Sequence, residues 1–325
     1  MTVPSRRPEL DPDAARFLAK LKAANLPPIH KVPLAQARLV SASTVVTGDP
    51  LRQIEDTSIT SDGQPLKLRI YRPDSANSRR ADAASSPLPN IVFFHGGGWV
   101  FGSLDSHDGL CRRLCRLANS AIVSVDYRLA PENPFPAAVH DAEAAVRWVS
   151  ENAASLGFDS TRLAVCGDSA GANLATVATR RLLGVVSVAA QILWYPAASF
   201  FLETVSYLEN SEGYFLSRDE MDWFSSQYLR SREDGQNPDA APLLAPNLAG
   251  MPPTYLLTAG YDPLRDDGRA YAKRLIDAGV PVHFTERGGL IHGFMRRLDD
   301  FRAATEVLEE AVHFLKDAWD RPETA

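Results

Sequence analysis

The sequence predicts an α/β fold in which a mostly parallel sheet is flanked by helices. Two observations carry that expectation. After Pro89, short apolar runs alternate with helical patterns, the order that builds parallel strands with helices on both faces. The runs themselves, such as Ile-Val-Phe-Phe at 91–94 and Ala-Ile-Val-Ser-Val at 121–125, are nearly continuous rather than alternating, as strands buried on both faces must be. Composition agrees. The 325 residues are 45% hydrophobic and 23% charged, which excludes a disordered, collagen-like or coiled-coil chain. Forty acidic residues against 34 basic ones leave a net charge of −6, so no basic face for nucleic acid is expected.

Residues 1 to about 45 read as helical, broken by Pro27, Pro28 and Pro33, with Phe17, Leu18 and Leu21 on one face. Residues 54–71 read as two strands around the turn Ser61-Asp62-Gly63-Gln64. The Ser-, Ala-, Asn- and Pro-rich stretch 74–89 reads as an exposed loop. The run 91–94 leads through a glycine turn into a helical stretch ending near Ala118, then the strand 121–125. Ala142, Ala145, Val146 and Val149 form one face of a helix over 137–153. Further strands are expected at 162–166, 186–194, 254–258 and 280–284. Between Pro196 and Pro253 no strand is evident, and aromatic residues crowd that stretch instead.

The uncharged stretch 182–202 is long enough to span a bilayer. Gly184, Gln191 and Pro196 interrupt it, and a buried strand followed by a turn fits better. The first 25 residues have no apolar core or cleavage-like site, so no signal peptide is expected. Cys111, Cys115 and Cys166 are too few for a disulfide framework and lack the partners of a zinc site. Buried thiols in a cytoplasmic protein, with no metal and no membrane contact, are the expectation.

Chemistry concentrates at two glycine-rich turns. Gly167-Asp168-Ser169-Ala170-Gly171 follows one apolar strand and opens a helix. A serine on so sharp a turn needs small neighbours, which Gly167 and Gly171 supply. His95-Gly96-Gly97-Gly98-Trp99 follows another strand, and its successive N–H groups could face a developing oxyanion. A phosphate loop would require a following Gly-Lys-Ser/Thr, which is missing.

A hydroxyl nucleophile needs a base and a group to orient it. Of the histidines after Ser169, His283 alternates within a strand and His313 lies mid-helix. His292 follows a strand and the turn Gly288-Gly289, from which it can reach the same sheet edge. Asp262 follows a strand and the turn Ala259-Gly260-Tyr261. Asp266 and Asp267 compete with it but read better as first-turn helix carboxylates. The order Ser, Asp, His is that of α/β-hydrolases.

With His95–Trp99, Tyr127-Arg-Leu-Ala-Pro-Glu132, Phe135-Pro-Ala-Ala138, Gly167–Gly171, Asp262-Pro-Leu-Arg-Asp-Asp-Gly268 and His292-Gly-Phe294, most of the chain resembles a known family. It is similar to the bacterial hormone-sensitive-lipase-like esterases (family IV carboxylesterases) of the Gly-Asp-Ser-Ala-Gly branch. The resemblance implies an α/β-hydrolase fold with a helical cap over the active site. It implies Ser169, Asp262 and His292 as catalytic residues and Gly96, Gly97 and Ala170 as oxyanion donors. Trp99, Asp168, Tyr195, Phe215 and Ile291 are the expected substrate contacts. Residues 1–45 and 198–235 would form the cap, over a core of 46–197 and 236–325.

The expected activity is hydrolysis of short- to medium-chain acyl esters through an acyl-enzyme, without cofactor. The expected partner is a small ester, and the chain would be a monomer or homodimer. Asn133, Asp267 and the missing Ser before Pro242 depart from the family pattern without touching the triad. Amide or thioester hydrolysis would use the same machinery. A non-catalytic receptor on this fold would lack the base, and His292 is present. The Tyr127–Glu132 run reads as a loop lock, and Asp168 could also bond to nearby backbone.

Overall fold

The computed structural model describes residues 7–42, 48–74 and 86–320. Two N-terminal helices, α1 (Pro12–Ala24) and α2 (Leu34–Ala42), precede the sheet. Asp11 caps α1 by accepting from the Asp13 N–H, Pro12 opens it, and left-handed Asn25 ends it. The antiparallel strands β1 (Gln53–Ser61) and β2 (Gln64–Arg72) turn at Asp62-Gly63, where the sequence expects them to. Most of the loop expected at 74–89 lies outside the described residues, as do both ends of the segment 1–45.

From β3 (Leu88–Phe94) the strands and helices alternate: α3 (Asp108–Ala118), β4 (Ala121–Asp126), α4 (Ala137–Glu151), the single turn α5 (Ala153–Leu156), β5 (Phe158–Asp168), α6 (Ala170–Arg181) and β6 (Ala190–Trp194). Helices α7 (Val205–Glu209) and α8 (Arg218–Tyr228) occupy the aromatic stretch. Ser217 and Glu220 start α8 with a reciprocal capping box. The chain closes with β7 (Thr254–Tyr261), α9 (Arg265–Asp277), β8 (Val282–Ile291) and α10 (Arg302–Trp319).

The eight strands form one sheet in the order β1-β2-β4-β3-β5-β6-β7-β8. Every pairing from β4 to β8 is parallel, and the pairings of β2 with β1 and with β4 are antiparallel. Hydrophobic clusters cover both faces. That is why β3, β5, β6 and β7 read as apolar runs. The chain leaves β3 for β4 on one side and returns to β5 on the other, so the strand order reverses between β3 and β5. Loops at such a reversal open a crevice beyond the strands' carboxyl ends. Phe94 pairs with Gly167, which brings the loop after β3 beside the turn after β5.

Two expected turns are not turns. Gly260 lies within β7 and Gly288-Gly289 within β8. A Cβ on Gly260 would lie 2.0 Å from the Gly288 carbonyl oxygen, so these glycines permit close strand approach. The stretch 182–202 does hold a buried strand, β6. Among the described residues no helix is long and apolar enough to cross a membrane. All three cysteines are free and buried, and burial pushes the Cys115 thiol up to about 12.

Candidate active site

Ser169 sits between β5 and α6 at φ 57°, ψ −120°, a conformation that costs a non-glycine residue roughly 1–3 kcal/mol. The surroundings enforce it. The Ser169 N–H donates to the Trp194 carbonyl at 2.9 Å. A Cβ on Gly171 would lie 2.0 Å from the Phe94 carbonyl oxygen, and one on Gly167 would lie 2.4 Å from the Gly171 backbone. The elbow therefore closes only with glycine at both positions.

The loops after β7 and β8 bring Asp262 and His292 to this turn. His292 Nε2 lies 2.9 Å from Ser169 Oγ, and Nδ1 lies 2.7 Å from Asp262 Oδ2. The second Asp262 oxygen accepts from the Leu264 N–H at 2.8 Å. Asp262 is fully buried, and Ser169 and His292 are 8% and 7% exposed, so the chain of bonds is shielded from bulk water. An Nδ1–H donated to Asp262 leaves Nε2 free to accept the serine proton. Neither rival histidine joins it: His283 stacks on Tyr255 at 5.3 Å, and His313 is on α10.

The oxyanion loop differs from expectation. The Gly96 N–H donates to Asp168 Oδ1 at 2.7 Å, so it is committed and cannot also serve an oxyanion. Among the described residues, the Gly97, Gly98 and Ala170 N–H groups have no protein acceptor. Ala170 is the first residue of α6, where N–H groups lack intrahelical partners and the helix dipole favours negative charge.

The expected substrate contacts divide. Phe215 is half-buried, edge-on to Phe17 at 5.6 Å, and lies against Gly293 beside the base. Trp99 is buried and stacks flat on Tyr228 at 4.3 Å. Ile291 is buried opposite Tyr261 at the end of β8. Tyr195 is buried, its ring 4.7 Å from His292, and its hydroxyl accepts from the Met295 N–H at 3.2 Å. Asp168 is 3% exposed and turned to Gly96 and His107, which corrects its expected contact with substrate. Burial and internal bonds give Trp99, Tyr195 and Ile291 supporting positions.

Asp266 and Asp267 open α9, as expected of first-turn carboxylates, and both also grip the segment before α8. Asp266 accepts from the Ser206 N–H at 2.7 Å, and Asp267 from the Ser199 hydroxyl at 2.8 Å. The Asn210 side chain donates to the Asp262 carbonyl at 3.1 Å. Burial pushes the Asp267 carboxyl from its ordinary 3.8 up to about 6, against the Ser199 and Ala198 donors that favour the anion.

A carboxyl raised in the folded state contributes stability that is complete below pH 3.8 and lost as pH rises through about 6. Between pH 7 and 5 its effect is on the order of 1 kcal/mol. Asp56 and Asp62, held below the ordinary range chiefly by hydrogen bonds from Arg69 and Arg128, lose stabilisation only in more acid solution. The gain in unfolding free energy from pH 7 to 5 should therefore be about 1 kcal/mol larger in wild type than in Asp267→Asn. Urea titrations at both pH values measure it, and equal gains would refute the assignment.

A parallel sheet carrying a nucleophile elbow and a buried Ser–His–Asp chain at its carboxyl edge defines the serine hydrolase class. Residues 91–296 match the family described as alpha/beta hydrolase fold. Carboxylesterase NlhH of Mycobacterium tuberculosis is 37% identical over 98% of this chain and 99% of its own. An ethyl acetate hydrolase of Pseudomonas putida is 37% identical over 94% of this chain and 98% of its own. A solved ester hydrolase from the metagenome of Lake Arreo, complexed with a bipyridine phosphonate derivative, superposes with TM-score 0.89. It is 36% identical and covers 96% of this chain and all of its own. The chain belongs to the hormone-sensitive-lipase-like, family IV esterases of the alpha/beta hydrolases, and it is a carboxylic ester hydrolase.

Proposed function

We propose that the protein hydrolyses short- to medium-chain acyl esters with Ser169 as nucleophile, His292 as base and Asp262 as its orienting acid. The single observation that carries this reading is the unbroken hydrogen-bonded chain Ser169–His292–Asp262, beside amides that have no acceptor among the described residues. His292 Nε2 takes the hydroxyl proton as Ser169 Oγ bonds to the ester carbonyl carbon. The carbonyl π electrons move to oxygen, where the Gly97 and Ala170 N–H groups, with Gly98 in place of Gly96, receive the charge. The tetrahedral adduct collapses, the C–O bond to the alcohol breaks, and His292 returns its proton to the leaving oxygen. Water repeats the sequence on the acyl-enzyme and releases the acid.

The same reading assigns residues up to about 45 and 198–235 to a cap. Support comes from aromatic contacts. Phe17 of α1 meets Phe215, while Phe101 of the oxyanion loop packs on Trp223 and Phe224 of α8. Arg38 of α2 donates to the Val100 and Ala130 carbonyls and pairs with Glu132 at 2.7 Å, tying the N-terminal segment to that loop. Phe200 packs on Trp99 at 5.4 Å, and Phe201 is 40% exposed.

Each methylene buried under the cap adds about 0.8 kcal/mol until the space is filled, and the family resemblance implies an optimum of roughly four to eight acyl carbons. A p-nitrophenyl ester series on full-length protein and on protein lacking residues 1–40 tests this. Activity rising and then dropping with acyl length, and lost preferentially on truncation, is expected. A folded truncated enzyme with unchanged rate and preference would refute the cap's role.

A further inference from the structure

Beneath the elbow lies a buried polar cluster that the proposed reaction does not use. Asp168 ends β5 directly after its buried run Leu163–Gly167, and its Oδ1 accepts from the Gly96 N–H at 2.7 Å. His107 Nε2 lies 3.3 Å from the same oxygen. His107 is 1% exposed; the Ser106 hydroxyl lies 2.9 Å from its Nδ1 and donates to the Ser103 carbonyl. Its ring stacks on His95 at 5.6 Å, and His95 stacks on Tyr127 at 4.2 Å. The Tyr127 hydroxyl donates to the His95 carbonyl at 2.7 Å. The His95–Gly96 peptide is thus held at both its carbonyl and its N–H before the chain reaches Gly97.

An apolar side chain at position 168 would fill the space without the expense of burying a charge. What a carboxylate adds is a charged acceptor shared by the Gly96 N–H and His107, stronger than a neutral amide oxygen in the same place. Contact there is close: a Cβ on Gly96 would lie 2.4 Å from Asp168 Oδ2. A lone anion at this point would also oppose the negative charge developing on the substrate oxygen. Burial raises the Asp168 carboxyl, yet His107, the Gly96 N–H and the half-buried Arg296 together hold it below the ordinary range.

We propose that Asp168 and His107 form a buried pair that sets the oxyanion loop, making both positioning residues for the tetrahedral intermediate. Asp168 fixes the Gly96 peptide, which aims the Gly97 and Gly98 amides. His107 fixes Asp168. This inference rests on the proposed reaction at Ser169.

Three variants test it: Asp168→Asn, His107→Leu and His107→Gln, whose amide N–H can face Asp168 in place of the imidazole. The readouts are kcat and KM for a short p-nitrophenyl ester, together with affinity for an aryl trifluoromethyl ketone, which serine converts to a tetrahedral adduct. Asp168→Asn and His107→Leu should lower kcat about 10²-fold with KM changed less than about threefold, and ketone affinity should fall in step with kcat/KM. His107→Gln should recover most of the loss. The proposal is overturned if kcat stays within about threefold of wild type, if KM rises as much as kcat falls, or if Gln rescues no better than Leu. Unfolding of Asp168→Asn and His107→Leu would also overturn it, since the pair would then serve stability. Labelling of wild-type protein by a fluorophosphonate separates the two levels. A label away from Ser169 overturns the reaction and the inference together. A label on Ser169 with unimpaired Asp168→Asn turnover overturns the inference alone.

Discussion

Ser169→Ala should retain the fold and lose about 10⁵–10⁶-fold in kcat toward esters, the range seen when a triad nucleophile is removed. The loss is confined to chemistry for a structural reason. Among the described residues Ser169 Oγ bonds to His292 alone, whereas the contacts that shape the elbow are backbone ones, from the Ser169 N–H to Trp194 and from the Asn173 N–H to the Ser169 carbonyl. Alanine keeps both and keeps the Cβ. Circular dichroism and urea unfolding should match wild type within about 1 kcal/mol, while a fluorophosphonate labels wild-type protein at Ser169 and leaves the variant unlabelled. Retained activity in Ser169→Ala, or labelling of another serine in wild type, would remove Ser169 from the reaction.

The sheet was readable from the chain because its central strands are buried on both faces and carry few polar interruptions. The starts of α1 at Asp11-Pro12 and of α8 at Ser217-x-x-Glu220 rest on local hydrogen bonds as well. Glycine was the ambiguous letter. In Gly167–Gly171 it permits a sharp turn, but at Gly260 and Gly288 it lets two adjacent strands approach, and composition alone does not distinguish these uses.

Long-range pairings were the other gap. The bond that removes Gly96 from the oxyanion donors joins residues 72 apart, and the one from Ser199 to Asp267 spans 68. A signal for the first did exist: Asp168 is a charged residue at the inner end of an apolar strand, where only buried partners could satisfy it. His107, which lies in a polar turn, carried no such mark. The aromatic stretch announced packing without direction, so the Phe17–Phe215 contact and the packing of Phe200 on Trp99 emerge only from the folded chain.

Asp262→Asn should lower kcat about 10⁴-fold, and Asp266→Asn should leave it within about threefold. The three neighbouring carboxylates differ in what they touch. Asp262 Oδ2 receives the His292 Nδ1–H at 2.7 Å, while Oδ1 is occupied by the Leu264 N–H. An asparagine that keeps its oxygen toward Leu264 presents an NH₂ group to Nδ1. The imidazole must then accept at Nδ1, and its proton moves to Nε2, where it faces Ser169 as a donor and cannot remove a proton. The effect is thus a wrong tautomer rather than a lost contact. Asp266 instead pairs with Arg265 and Arg269 and accepts from the Ser206 N–H, away from the imidazole. Asp267 binds Ser199, and its replacement should move pH-dependent stability more than turnover. Steady-state kinetics on the three variants, with folding checked by circular dichroism, measure the contrast. A loss in Asp267→Asn or Asp266→Asn equal to that in Asp262→Asn would show that the orienting carboxylate is not Asp262.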